Sequence, residues 1–173
     1  MFSTSMQRTL WFILLLMLQV LVFNHIHILG YATPMPFFYL LLILHSTTPR
    51  WVYIVLGFAM GILVDMFSNT IGECASTMTF LGLITPNLLM MFSPADRSEE
   101  GFEPSVNTMQ WSGFLRYATA ATLIFVTLFF MMECFSFFHI FILLKYIGGS
   151  AVLTLLVICA MERIRQSMKK KST

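Results

Sequence analysis

Charge is what this chain has least of. Only 10% of its 173 residues are Asp, Glu, Lys or Arg, against roughly 25% in an ordinary soluble domain. A chain of this length that is 58% hydrophobic, with a mean hydropathy of +0.82, carries more apolar surface than a water-soluble core hides. Lipid is therefore the expected solvent for most of it. Cysteine is scarce as well. Three of them, an odd number in apolar surroundings and without a CxxC pair, exclude a disulfide framework. No nucleophile stands beside a base, no glycine loop is shaped to cradle a phosphate, and no carboxylate dyad offers general acid–base chemistry. Neither enzyme activity nor a cofactor is expected. The net charge of +2 is too small to point to nucleic acid.

What the chain does have is a series of long apolar runs. A helix needs about 17–25 residues to cross a bilayer. The sequence offers six candidates, some short, at 9–29, 34–47, 51–67, 74–92, 113–132 and 138–161, within one membrane domain covering 1–173. The run 10–29 is too long for the apolar part of a signal peptide and lacks a small-x-small cleavage site, so it is expected to stay as a span. Pro34 and Pro36 open the second and weakest span. Thr47-Thr48-Pro49-Arg50 and Ser68-Asn69-Thr70-Ile71-Gly72 punctuate either side of the third.

Orientation follows from the basic residues. With the N-terminus in the cytoplasm, Arg8, Arg50, Arg97, Arg116, Arg163, Arg165, Lys169, Lys170 and Lys171 all lie on the cytoplasmic side, nine of the ten basic residues. The positive-inside rule then places both termini in the cytoplasm. The expected fold is an all-α integral membrane protein with six transmembrane helices in one bundle. Segment 93–112 becomes a cytoplasmic loop carrying Asp96, Arg97, Glu99, Glu100 and Glu103. It reads either as a solvated connector or as a docking loop anchored by Phe102 and Trp111. The basic tail 163–173 reads as a stop-transfer segment that also holds anionic lipid.

The run 57–72, GFAMGILVDMFSNTIG, concentrates the unusual residues. Gly57 and Gly61, one turn apart, let a neighbouring helix approach closely. Asp65 is an ionisable group at membrane depth, which is costly unless packed or functional. Lys145 is the second intramembrane charge. At roughly 1.5 Å per residue the two lie within about a turn of the same depth, so one reading is an Asp65–Lys145 bridge. The other is that Lys145 snorkels outward and Asp65 is wetted at its helix end. Gly148, Gly149, Ser150 and Ala151 form a second close-packing patch. His25, His27, Glu73, Cys74, Glu133, Cys134 and His139 collect on the outer face, but only His25-Ile26-His27 has local spacing, so interfacial polar residues are expected rather than a metal site. Cys74 and Cys134 form an external disulfide only if their Cβ atoms approach. Thr85-Pro86-Asn87 in the fourth span reads as a packing kink.

Four blocks of the sequence, taken together, carry a family resemblance. They are FNHIHILGYATPMPFFYLLLIL, then GFAMGILVDMFSNTIGECASTMTFLGLITP with its Gly57, Gly61, Asp65 and Gly72 pattern, the loop FSPADRSEEGFEPSVNTM, and the tail LTLLVICAMERIRQ. Through them the chain resembles, over essentially its whole length, the rod shape-determining protein MreD family. The resemblance implies a non-enzymatic scaffold of the cell-elongation complex in the bacterial cytoplasmic (inner) membrane. Its implied membrane and periplasmic partner is MreC. MreB, RodA and its transpeptidase are implied as direct or indirect partners, in coupling the cytoskeleton to lateral peptidoglycan synthesis and cell shape. That family is similar in fold to the substrate-binding subunits of energy-coupling-factor transporters. The alternative is therefore a transporter subunit that binds a small vitamin-like molecule in a pocket open to the outside, with Asn69, Glu73 and Glu133 as its candidate lining. Those subunits dock through an Ala-x-x-x-Ala face on their first helix, and 10–23 here contains neither Ala nor Gly.

Overall fold

Helix boundaries follow local chemistry. A computed structural model describes residues 4–23, 33–70, 72–93, 101–133 and 140–171. Helix α1 is Thr4–Leu21, a 3₁₀ turn Pro36–Phe38 runs into the short α2 at Tyr39–Leu42, and the long helices are α3 (Arg50–Ser68), α4 (Glu73–Phe92), α5 (Val106–Glu133) and α6 (Ile140–Lys171). No strand occurs among the described residues. Pro49, extended at ψ 146°, starts α3, and Asn69 ends it in the left-handed conformation at φ 56°, which Asn tolerates better than most side chains. Gly72, at φ 77°, then opens α4. Two left-handed residues so close together fold α3 and α4 into a tight antiparallel hairpin. Helix α4 runs on through Pro86, so Thr85-Pro86-Asn87 does not end it. The first turn of α5 is set off from the rest by Gln110, whose φ of 60° and ψ of 165° are not helical.

Among the described residues four helices are long and apolar enough to cross a membrane: α3, α4, α5 and the part of α6 at Leu143–Met168. The described apolar stretch of α1, Thr9–Leu21, is shorter. This is an all-α membrane protein. The second expected span, 34–47, is not a spanning helix. Its helical part is a 3₁₀ turn and a four-residue helix, which at roughly 1.5–2 Å per residue covers less than half of a ~30 Å hydrocarbon core. Segment 34–42 is instead buried throughout, inside the bundle.

The sequence explains how irregular backbone survives there. Backbone donors at membrane depth need partners within the protein. Pro34 and Pro36 have no N–H to satisfy. Between and beside them, the Thr33 N–H donates to Ser150 Oγ at 3.1 Å and the Met35 N–H to Thr154 Oγ1 at 3.1 Å. Further along, the Tyr39 hydroxyl reaches Glu162. The segment thus descends alongside α6 from Ser150 to Glu162, with α6 hydroxyls standing in for a helical ladder. Its aromatic residues fill the core: Phe37 and Phe38 lie 5.3 Å and 4.7 Å from the Phe125 ring of α5.

Consecutive elements of the chain run in alternate directions, so the bundle has two distinct ends. One gathers Arg50, Arg116, Arg163 and Arg165 and is here termed the basic end. The other holds Asp65, Glu73 and Glu133, with Lys145 as the single basic residue among those described there. Helix α6 continues unbroken past 161 to Lys171, so the expected tail is the last part of a helix.

Candidate functional site

Helices α3 and α4 meet through glycine. A Cβ on Gly57 would stand 2.6 Å from the Met78 carbonyl oxygen, and one on Gly82 would stand 2.6 Å from that of Tyr53. A Cβ on Gly61 would strike Ala75 and lie 2.7 Å from the Cys74 carbonyl oxygen. The Gly57/Gly61 face is therefore filled by α4 of the same chain.

Asp65, one turn beyond Gly61 and 5% exposed, closes this seam. Its Oδ1 accepts from the Cys74 N–H at 3.0 Å and from the Thr70 hydroxyl, and its Oδ2 accepts from the Ala75 N–H at 2.9 Å. The amides of a helix's first turn lack acceptors within the helix, and a carboxylate there also complements the helix dipole. Asp65 is thus a cap for α4 supplied by α3. Among the described residues no ion pair joins it to Lys145, which is exposed on α6. The bridge reading is corrected: both Asp65 oxygens point into their own hairpin.

A second carboxylate repeats this device at the basic end, and sequence reading missed it. Glu162 is wholly buried. Its Oε1 accepts from the Val106 N–H, the first amide of α5, at 3.1 Å, and its Oε2 accepts from the Tyr39 hydroxyl at 2.5 Å. Arg165, one turn on, donates to Glu162 at 3.4 Å, to the Pro104 carbonyl at 3.0 Å and to Glu103 at 3.2 Å. The cluster clips the end of the 93–112 segment and the descending segment onto α6. The available signal was the spacing of Thr154, Ile158, Glu162 and Arg165, which share one helical face with the apolar core.

This clip corrects the docking-loop reading of Phe102. The ring is 7% exposed, and its backbone pairs twice with Ser46, once as donor and once as acceptor, each at 2.9 Å. Trp111 does reach the surface, where the Arg163 guanidinium stacks 4.8 Å above its ring. Asp96, Arg97, Glu99 and Glu100 lie outside the described residues.

The 148–151 patch is split. Ser150 and Ala151 are buried and Gly149 is half-buried. Gly148 is exposed, and a Cβ there would meet nothing within 4 Å among the described residues. It sits on an outward stripe with Leu144, Val152 and Leu156, each about 60% exposed. A comparable apolar face runs along α1 through Leu10, Ile13, Leu14, Met17 and Leu21.

Between the helices at the acidic end lies a cavity of about 580 Å³. Glu133 lines it, while Asn69 and Glu73 do not. Cys74 is a buried free thiol. His25, His27, Cys134 and His139 lie outside the described residues, and among those described no three His, Cys, Asp or Glu side chains gather. No family model, curated protein or solved structure matches the chain.

Proposed function

We propose that this protein is a non-enzymatic scaffold of the cell-elongation complex, an MreD-like protein of the bacterial inner membrane with both termini in the cytoplasm. In this role it binds MreC and helps couple MreB, RodA and its transpeptidase to lateral peptidoglycan synthesis. The sequence resemblance set out above supports the reading, and so does the gathering of arginines at one end of the bundle. The observation that carries it is Gly148. A mid-helix glycine costs roughly 0.5–1 kcal/mol relative to Ala, and here no neighbour among the described residues explains it. A glycine in an exposed apolar stripe suits a single helix approaching from outside, which is how MreC would arrive. By contrast, Gly57 and Gly61 are already occupied.

The test is co-purification of MreC with a Gly148→Leu variant in mild detergent. A Cβ there meets nothing among the described residues, so folding is expected to persist while MreC recovery drops at least several-fold. Unchanged recovery would move the interface to another face.

A further inference from the structure

Two arginines of α6 at the basic end have opposite surroundings. Arg165 is used inside the fold, on Glu162, Glu103 and the Pro104 carbonyl. Arg163 is exposed, and among the described residues no ion pair involves it. Its described partner is the exposed Trp111 ring of α5, 4.8 Å from the guanidinium carbon. A guanidinium stacked on an aromatic face keeps the N–H groups at its edge, where they can grip a phosphate in bidentate fashion. The stack also holds a long side chain in place before a ligand arrives.

The surroundings add positive charge and apolar surface. Helix α5 resumes at Trp111 after Gln110, whose φ is 60°, so the positive end of its dipole reinforces Arg163 instead of offsetting it. Helix α6 runs on from Arg163 to Lys171, through Lys169 and Lys170. One turn inward along the same helix faces lie Leu115 on α5 and Ala160 on α6, both exposed. An anion with an apolar body fits this layout at the edge of two membrane-crossing helices.

We propose that Trp111 and Arg163 bind the phosphate headgroup of an anionic phospholipid, whose acyl chains lie along Leu115 and Ala160. The site is a defined pair on two helices, separate from the general charge of the 169–171 tail. It goes beyond the scaffold reading and does not depend on it.

The experiment is quenching of Trp111 fluorescence by brominated phospholipids, in the full-length protein carrying Trp11→Phe and Trp51→Phe and reconstituted in vesicles. Brominated phosphatidylglycerol or brominated phosphatidylcholine, diluted with unbrominated lipid, gives the relative affinity of the two headgroups beside this ring. Phosphatidylglycerol should be preferred by about fivefold, and Arg163→Gln should abolish the preference. Arg163→Lys, which keeps the charge but not the planar fork, should keep part of it. Arg50→Gln makes the same charge change elsewhere at this end, and should leave the preference within about twofold. The triple change Lys169→Gln, Lys170→Gln and Lys171→Gln should do the same. Inorganic phosphate at matched ionic strength should not displace the lipid. No preference for phosphatidylglycerol, a preference that survives Arg163→Gln, or its loss in the tail triple or to inorganic phosphate would each overturn the proposal. Should the two Trp replacements prevent folding, native mass spectrometry of the parent and Arg163→Gln proteins, scoring retained phosphatidylglycerol against phosphatidylcholine, decides by the same outcomes. MreC recovery with Gly148→Leu reports separately on the scaffold reading.

Discussion

Both oxygens of Asp65 are committed to the first turn of α4, and Glu162 does the same for the first amide of α5. Each carboxylate is buried, and each finds partners in the amides that a helix start leaves unsatisfied. For Asp65 these amides and the Thr70 hydroxyl offset the cost of a buried acid, while Glu162 also has the Arg165 guanidinium as its ion-pair partner. The expected consequence is an ordered series. Asp65→Ala, which strands two buried N–H groups, should lower stability by about 1–3 kcal/mol per group left unpaired. Asp65→Asn keeps one acceptor and should lose less. Lys145→Met should stay within about 0.5 kcal/mol of the parent, as an exposed side chain does. Thermal unfolding in detergent checks all three, and an equal loss in Lys145→Met and Asp65→Ala would revive the bridge. From sequence, Asp65 was visible as an anomaly. Its partners were not, because they are backbone groups nine and ten residues on, and residue types carry no mark of that.

At the scale of elements, glycine means opposite things in two helices. On α3 it admits the backbone of α4, and on α6 it faces open space. Gly57→Ala should destabilise by about 1–3 kcal/mol, because a Cβ 2.6 Å from a carbonyl oxygen forces the hairpin apart. Gly148→Ala should instead stabilise by up to about 1 kcal/mol through helix propensity alone. Paired denaturation curves of the two variants decide the matter by sign. The spacing of Gly57 and Gly61 announced close packing, but the identity of the packed helix came only from the turn at Asn69 and Gly72. The segment 34–47 was the larger misreading. Its apolar run resembles a short helix, yet its alternating Thr33-Pro34-Met35-Pro36 leaves just two amides to satisfy, and Ser150 and Thr154 satisfy them. Hydropathy does not register which backbone donors a proline has removed.

For the molecule as a whole, the two ends are built differently. The basic end is locked by Glu162, Arg165, Tyr39 and Glu103, while the acidic end leaves a cavity between the same helices. Arg165→Met should free the 101–106 segment, since breaking a buried ion pair by removing one partner costs about 3–5 kcal/mol. Faster proteolysis there, with faster amide exchange at Val106, is the expected result, and unchanged protection would show that the clip is dispensable. Adding Glu162→Gln to Arg165→Met should recover part of the loss by removing the stranded charge. The sequence by itself determined the solvent, the helical class, the long apolar helices and the segregation of arginines toward one end, because these depend on composition and on the order of residues along the chain. Only the tertiary structure decided that Asp65 and Glu162 cap neighbouring helices, that 34–42 is buried rather than spanning, that Phe102 is tucked away, and that a ring-lined cavity forms around Glu133. Each of those depends on groups distant in the chain meeting in space, and many of the groups are backbone atoms that every residue shares.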